Sequence, residues 1–190
     1  MVDVTYVGDG LPMTTLPSDR DLEEKSGARL EGEGSVVGKR AADFVLPDQF
    51  GHSVRFSEVY KQGPVLLAFY PGDFTLVCTK QLCNYRDKME HFQTLGVNVV
   101  GISPNPTSDH SRFAAKYNFS FPLLSDHGKK VARTYGCTSI FMLGGVSRAV
   151  FIVSGEGVVL YRYVEPTVVT HRSATELLAI IGDLKGNGIL

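Results

Sequence analysis

The sequence predicts an α/β fold in which a central mixed β-sheet is flanked by helices. Two continuous apolar runs, Val65–Tyr70 and Asn98–Ser103, have the composition of strands that are buried on both faces. A helical pattern lies between them, so these strands should be parallel and joined by a right-handed crossover. Near the C-terminus, apolar runs on either side of a turn at Ser154–Gly157 predict an antiparallel hairpin, which makes the sheet mixed.

The elements around the first buried strand follow from local signals. Phe44–Leu46 is a short apolar piece, which a turn at Pro47–Gly51 separates from a second short strand at Ser53–Phe56. After the buried strand, the apolar spacing predicts one helix from Leu76 to Leu95, closed by Gly96 as the residue after its C-cap.

The second half of the chain alternates helices and strands. We expect helices near Ser108–Tyr117, Lys129–Tyr135 and Ser173–Leu184, and hairpin strands at Arg148–Val153 and Val158–Val164. A strand–helix–strand unit followed by an antiparallel hairpin and a C-terminal helix is the thioredoxin-like order. Because one fold supports many functions, the candidate site must indicate the activity.

Charge divides the chain into two segments. Residues 1–34 carry eight acidic and three basic residues, so they net −5, and the remaining residues net +4 because the whole chain nets −1. We therefore expect an acidic N-terminal extension over 1–35 and a thioredoxin-like domain over 36–190. The favoured interpretation of the extension is a partly ordered segment on the domain or in solvent. The alternative is a short strand at Val4–Val7 that extends a sheet or touches a second subunit.

Composition excludes several classes of function. A near-neutral charge gives no reason to expect nucleic acid or an anionic membrane as a partner. Apolar runs stay well below the ~18 residues that a transmembrane helix needs. The N-terminus lacks the basic start and apolar core of a signal peptide, and its acidity argues against an organelle transit peptide. These features predict a cytoplasmic protein.

Three cysteines are too few for a disulfide scaffold. Cys78 and Cys83 are five positions apart, so a structural disulfide, a metal corner and a nucleophile with its partner are all open at first. A zinc site needs a second pair of ligands at similar spacing, and the histidines are scattered. We therefore expect no metal. The five histidines are His52, His91, His110, His127 and His171.

The helix that follows the buried strand places Cys78 on an apolar face. Residues spaced four and three apart share one side of a helix and should pack on the sheet. Cys78 lies in the first turn, where unpaired amides and the positive end of the helix dipole favour an anion such as a thiolate. Cys78 is thus placed to act as a nucleophile. The apolar stripe consists of Cys78, Leu82, Tyr85, Met89 and Phe92.

Cys83 cannot reach Cys78 while the helix is intact. Five helical residues give a Cα separation of about 8.6 Å, whereas a disulfide needs Cα atoms within about 7 Å. Either the segment is not helical, or a bond between the two forms only after part of the helix unwinds. A transient disulfide fits this pattern better than a structural one.

The turn before the helix holds two further candidates, Pro71 and Thr75. Thr75 can be the N-cap whose hydroxyl accepts the Cys78 amide, or it can place that hydroxyl beside the sulfur and an incoming substrate. The two roles use nearly the same geometry. Pro71 can simply terminate the strand.

At these residues the chain resembles the peroxiredoxins. The family pattern is Pro, three residues, Thr or Ser, two residues and Cys, which stands here as Pro71, Thr75 and Cys78. The preceding FYP and the following Gln81 and Arg86-Asp87 also match. The second cysteine five residues on resembles the Q-type, bacterioferritin-comigratory-protein-like subgroup, and the resemblance covers roughly residues 36–184.

The family's active-site arginine is best matched by Arg148, at the start of a strand after the cysteine helix. Arg133 and Arg162 are alternatives because they are close in sequence, and Arg148 can also be read as a solvated charge at a strand end. Gln81 is either a residue that orients the site or a solvated helix residue.

The resemblance implies reduction of hydrogen peroxide and organic hydroperoxides, with thioredoxin or a similar dithiol protein as the donor and no cofactor. Cys78 would become a sulfenic acid, and Cys83 would resolve it as an intramolecular disulfide. Thr75, the Cys78 amide and Arg148 would hold the peroxide. Pro71 would shield the sulfenic acid from water and further oxidation. We expect a monomer or weak homodimer.

Two other functions use the same thiolate. A thioredoxin-like redox sensor would relay oxidation of Cys78 to a partner protein. A thiol–disulfide oxidoreductase is disfavoured because the strand–helix junction lacks a CxxC pair. Cys137 is interpreted as a small buried apolar residue, with an alternative resolving cysteine or an intermolecular thiol as the rival reading.

Overall fold

The computed structural model describes residues 5–6, 36–138, 145–167 and 169–190. Its strands are β1 (Thr5–Tyr6), β2 (Val45–Pro47), β3 (Ser53–Arg55), β4 (Val65–Phe69), β5 (Asn98–Ser103), β6 (Leu123–Ser125), β7 (Ala149–Val153) and β8 (Val159–Val164). Its helices are α1 (Phe56–Tyr60), α2 (Leu76–Asp87), α3 (Met89–Thr94), α4 (Thr107–Tyr117), α5 (Lys130–Thr134) and α6 (Ala174–Gly186).

The main sheet has the strand order β1-β8-β7-β4-β5-β6, and β2 pairs with β3 in a separate hairpin. β5 lies parallel to β4 and to β6. β7 lies antiparallel to β4 and to β8. The predicted α/β fold, with a central mixed sheet flanked by helices, is therefore confirmed.

The sheet divides the core into two layers because successive side chains of a strand point to opposite faces. Leu66, Ala68 and Tyr70 contribute to the layer that contains Cys78. Val65, Leu67 and Phe69 contribute to the layer that contains Cys137. β4 is buried along its whole length, which explains why its sequence is uniformly apolar rather than alternating.

The cysteine helix is shorter than the sequence predicts. The expected helix from Leu76 to Leu95 is two helices, α2 and α3, which are separated at Lys88, whose backbone has φ −111° and ψ 14°. The Lys88 amide bonds the Tyr85 carbonyl at 3.2 Å, so the last turn tightens and the helical path is interrupted. Gly96 follows α3 with a φ of +68°, as predicted for the residue after a C-cap.

Two short elements were missed. The predicted strand Ser53–Phe56 ends at Arg55, and Phe56 begins α1. The Ser57 amide donates to the Asp43 carboxylate at 2.9 Å, so a distant residue supports this five-residue helix. β6 pairs with β5 over three residues, which is too short a run to show a period in the sequence.

β1 adds an edge strand to the sheet. Thr5 pairs with Arg162 and Tyr6 pairs with Tyr161, so a strand is present within Val4–Val7, as the alternative interpretation allowed. Residues 7–35 lie outside the described ranges, and the division of the chain at residue 35 stays a prediction. Within the part of the chain that the structure describes, no helix has the length and hydropathy to cross a membrane.

Candidate active site

Cys78 is the third residue of α2 and is fully buried against the sheet. Leu82, Tyr85 and Phe92 are buried in the same layer, and Met89 packs against it, so the predicted apolar stripe is confirmed. The thiol thus lies in the first turn of a helix whose N-terminal amides favour negative charge.

Arg148 reaches the sulfur of Cys78. Its Nη2 donates to Sγ at 3.3 Å, and the residue is 3% exposed. Phe69 at the end of β4 is paired with Ala149 at the start of β7, so the residue before β7 lies beside the segment that leads into α2. A guanidinium at hydrogen-bond distance stabilises negative charge on the sulfur. Arg148 is therefore not a solvated charge at a strand end.

Thr75 is the N-cap of α2, with an extended backbone at φ −73° and ψ 146°. Its hydroxyl donates to the Gly72 carbonyl at 3.2 Å, and its side chain makes no capping hydrogen bond. The expected bond from the Cys78 amide to this hydroxyl is therefore wrong. The side chain is instead turned toward the Gly72 carbonyl, which is its hydrogen-bond partner.

Pro71 and Phe74 shape the same turn. Pro71 is buried directly behind β4, where its lack of an amide proton suits the end of the strand. Phe74 has a φ of +59°, a left-handed conformation that costs a bulky residue roughly 1–2 kcal/mol. Its ring packs on Phe113 at 4.9 Å between centroids, which helps to hold the turn in this conformation.

Gln81 is buried, so the interpretation of a solvated helix residue is wrong. Its Nε2 donates to the Tyr85 hydroxyl at 3.0 Å, and that hydroxyl donates to the Arg172 carbonyl at 2.9 Å. This chain of bonds ties the middle of α2 to the segment before α6. Its predicted part in orienting the site stays a prediction.

Cys83 is half-buried and packs against the same layer as Cys78. Burial raises the pKa of its thiol, and the neighbouring Arg86 guanidinium partly offsets this effect. Both thiols are free, and both lie in the unbroken helix α2. The geometry that prevents a direct bond between them is thus present in the structure.

Cys137 is fully buried in the opposite layer of the core. Its thiol donates to the Tyr135 carbonyl at 3.3 Å, and burial raises its pKa to about 12. A protonated, inaccessible thiol behaves as a small apolar side chain, as predicted. Its position across the sheet from Cys78 argues against a resolving role.

Sequence reasoning missed a buried polar cluster beside the site. The Tyr70 hydroxyl donates to Asp73 Oδ1 at 2.8 Å, and His110 Nδ1 lies 2.8 Å from Asp73 Oδ2. The side chains of Asp73 and His110 have no exposed surface. Tyr70 and Asp73 flank Pro-Gly in the turn, but His110 is 40 positions from Tyr70, so the sequence gives no pairing signal.

The expectation that the chain holds no metal stays a prediction. Within the described ranges, no group of three or more His, Cys, Asp or Glu side chains could hold an ion.

The chain is similar to a known family of proteins. The model of the AhpC/TSA family matches residues 37–162. "Peroxiredoxin Q, chloroplastic" of Triticum aestivum is 39% identical over 140 residues, which is 71% of this chain and 64% of that relative. The protein of the same name from Oryza sativa subsp. japonica is 40% identical over 151 residues, 79% of this chain and 69% of the relative. The matches thus span about two thirds of these relatives.

Solved structures are also similar to this chain. Peroxidoxin BcpB from Mycobacterium tuberculosis superposes with a TM-score of 0.70 at 34% identity, over 78% of this chain and 97% of the other. Peroxiredoxin Q of Xanthomonas campestris gives a TM-score of 0.66 at 25% identity, over 74% of this chain and 90% of the other.

The relatives overturn one prediction. Cytoplasmic localisation was expected from the composition of the N-terminal residues, whereas the Triticum and Oryza proteins are named chloroplastic. The physical reason for the error is that the charge of an acidic segment carries little information about compartment. The cytoplasmic prediction is therefore wrong.

Proposed function

Because the chain belongs to the AhpC/TSA family, the peroxiredoxins, we propose that it is a thiol-dependent peroxidase whose reacting atom is Sγ of Cys78. The observation that supports this proposal best is the 3.3 Å contact between Arg148 and Cys78 at the first turn of α2. A cation and a helix N-terminus together favour the thiolate, which is the reactive form.

In the first step, the Cys78 thiolate attacks one peroxide oxygen, and an S–O bond forms as the O–O bond breaks. The sulfur becomes a sulfenic acid, and the other oxygen leaves and takes a proton to give water or an alcohol. Arg148 and the Cys78 amide stabilise the negative charge that develops on the leaving oxygen, and the Thr75 hydroxyl joins them when it turns from the Gly72 carbonyl. Pro71, buried beside the turn, shields the sulfenic acid.

In the second step, Cys83 attacks the sulfenic sulfur and releases water as an intramolecular disulfide forms. In an intact helix the Cα atoms of Cys78 and Cys83 stand about 8.6 Å apart, which is too far for a disulfide, so α2 must unwind first. Unwinding also removes the burial that raises the pKa of Cys83, so more of this thiol becomes the attacking thiolate. The conformational change therefore brings the two sulfurs together and activates the second one.

A dithiol protein of the thioredoxin kind completes the cycle by reducing the disulfide. Exchange starts with attack of an external thiolate on one sulfur, so the disulfide has to lie at the surface. Unwinding of α2 moves Cys83 from its half-buried position toward solvent, which suits such a donor. The proposed cycle needs no metal or organic cofactor, and we expect it to run in a monomer or weak homodimer.

The chloroplastic relatives support a plastid as the compartment of this chain. Immunoblotting of isolated plastids and of the remaining cell fraction measures the distribution directly. Enrichment outside the plastid would contradict this assignment without affecting the proposed chemistry.

Rapid mixing with hydrogen peroxide, in the presence of a dithiol reductant such as thioredoxin, tests the proposed function. Cys78→Ser should consume no peroxide, whereas Cys83→Ser should consume one equivalent and stop as the sulfenic acid. Cys137→Ser is the matched control, because this thiol lies across the sheet, and it should turn over like the wild type. Mass mapping should show a Cys78–Cys83 disulfide. Wild-type consumption by Cys78→Ser would sink the proposal, and normal turnover by Cys83→Ser would remove its resolving role.

A further inference from the structure

A buried polar cluster lies next to the turn that carries the candidate site. It consists of Tyr70, Asp73 and His110, and all three side chains are withdrawn from solvent. Asp73 lies two residues before the N-cap Thr75 and five before Cys78. None of the steps proposed above uses the cluster, and the burial of three polar groups costs free energy that their mutual hydrogen bonds must offset.

Hydrogen-bond geometry determines how many protons the cluster holds. His110 Nε2 lies 3.2 Å from the Leu124 carbonyl, so this nitrogen donates. Nδ1 lies 2.8 Å from Asp73 Oδ2, and one proton must stand between them. Asp73 Oδ1 accepts from the Tyr70 hydroxyl, whose pKa is raised by burial and by Asp73, so Tyr70 stays a donor. Asp73 and His110 thus form a pair of zero net charge with each bond satisfied.

The cluster joins three elements that the chain separates. Asp73 belongs to the turn before α2, His110 to α4, and Leu124 to β6. The Asp73 amide also donates to Asn105 Oδ1 at 3.0 Å, so backbone and side chain of this one residue are both held. The next residue is Phe74, whose left-handed backbone is strained. This strain favours a change in the conformation of the turn once the contacts of Asp73 are lost.

We propose that Tyr70, Asp73 and His110 are positioning residues that clamp the 71–75 turn and so set the balance between oxidation of Cys78 and unwinding of α2. The proposal rests on the two-step peroxidase function proposed above. We call these three residues the turn clamp.

The two steps make opposite demands on the turn clamp. Attack on peroxide requires an ordered first turn of α2, with Thr75, the Cys78 amide and Arg148 in place. Attack by Cys83 requires that the same turn become disordered. Weakening the turn clamp should therefore slow the first step and speed the second. General destabilisation without a role in positioning would not change the two rates in opposite directions.

Two tyrosines provide a matched pair of variants. Tyr70→Phe removes one hydroxyl that donates to Asp73, and Tyr135→Phe removes one that donates to the Ala42 carbonyl at 2.6 Å in the other layer. Both variants keep the ring and lose one largely buried hydrogen bond. Tyr70→Phe should slow Cys78 oxidation and speed disulfide formation, each about threefold or more, whereas Tyr135→Phe should change neither.

A second pair of variants, at Asp73, separates the effect of losing the hydrogen bonds from that of changing the residue. In Asp73→Asn the amide can donate to Nδ1 of a neutral His110 and still accept from Tyr70, so both bonds survive. We expect both rates of Asp73→Asn to stay within about threefold of the wild type. In Asp73→Ala, oxidation of Cys78 should slow and disulfide formation should speed up, each by about tenfold or more. Should Asp73→Ala fail to fold, the tyrosine pair decides the question.

Hydrogen exchange of amides 76–83 in the reduced protein gives a readout that needs no peroxide. Tyr70→Phe should exchange these amides faster, by about threefold or more, and Tyr135→Phe should not. Equal exchange and equal rates in the two tyrosine variants would overturn the turn clamp, as would an Asp73→Asn variant as impaired as Asp73→Ala. If the wild type consumes no peroxide, the proposed function fails, but exchange at these amides still reports whether the cluster holds the turn.

Discussion

The guanidinium of Arg148 lies 3.3 Å from Sγ of Cys78, although 70 positions separate the two residues in the chain. The contact depends on the antiparallel register of β4 and β7, which pairs Phe69 with Ala149. The sheet, rather than any local motif, therefore supplies the positive charge at the candidate nucleophile.

Arg148→Ala should slow the reaction of Cys78 with hydrogen peroxide by about a hundredfold, because one preorganised donor to the transition state is lost. The rate of Arg148→Lys should lie between those of the wild type and Arg148→Ala, since an ammonium keeps the charge of the guanidinium but not its planar pair of donors. Stopped-flow peroxide consumption measures both rates. Arg133→Ala is the control, since this arginine is exposed on α5, and it should react at the wild-type rate. A wild-type rate for Arg148→Ala would move the role to another cation.

Thr75→Val should slow the same step about tenfold or more, because valine keeps the shape of threonine but lacks the hydroxyl. Thr75→Ser retains the hydroxyl and should stay within about threefold of the wild type. Initial rates at several peroxide concentrations measure the effect. Equal rates for the serine and valine variants would assign Thr75 a purely structural part in the turn.

Thr79 offers a way to change the unwinding of α2 without touching the reacting groups. It lies between the two cysteines, and its Oγ1 is buried without a hydrogen-bond partner among the described residues. Thr79→Ala should slow disulfide formation and Thr79→Gly should speed it, with a span of about fivefold that reflects their helix propensities.

Peroxide oxidation of Cys78 should change much less than disulfide formation in the two Thr79 variants, because the turn clamp still holds the turn before α2, so the steps separate. The control is Thr94→Ala in α3, an exposed helical threonine, which should leave disulfide formation unchanged. Mass analysis of samples quenched at successive times follows the second step. Identical disulfide rates in the alanine and glycine variants would show that helix opening does not limit resolution.

Stability should fall in alkaline solution through Cys137. Burial raises the pKa of this thiol from 9.0 to about 12, so folding favours the protonated form. A raised folded-state pKa gives a stabilisation that is present below pH 9 and lost as the pH rises from 9 toward 12. One pH unit above the unfolded pKa, the loss should be about 1.4 kcal/mol.

Urea unfolding of the wild type and of Cys137→Ala at pH 8 and pH 10 measures that loss. Cys137→Ala should be less stable at pH 8, because a small cavity forms, but its free energy of unfolding should depend less on pH. Buried tyrosines also titrate in alkali, so the difference between the two proteins isolates the thiol. Parallel pH dependence in both would contradict the burial effect on Cys137.

The sequence predicts the sheet and the nucleophile because both depend on local pattern. The uniformly apolar Val65–Phe69 run indicates a buried strand, and the first-turn position of Cys78 follows from helical spacing. The break at Lys88 escapes prediction because the apolar stripe continues through Met89 and Phe92 without interruption. Short elements such as α1 are held by distant contacts like Asp43 with Ser57.

The candidate site is predicted only where its residues are close in sequence. Pro71, Thr75 and Cys78 stand within eight positions of each other, and their spacing carries the family pattern. Arg148 was selected from several arginines by resemblance, and the β4–β7 register explains the choice. The sequence does not predict the pairing of Asp73 with His110, because a buried polar pair produces no periodic pattern in either segment.

The interruption at Lys88 limits how far a conformational change can travel. α2 is one twelve-residue helix, and helices of about this length are marginal in water without packing. Since its hydrogen-bond ladder stops before Met89, α2 can melt as a separate cooperative unit while α3 keeps Phe92 in the core. A continuous helix to Leu95 would couple the unwinding that we propose for disulfide formation to the stability of the whole domain.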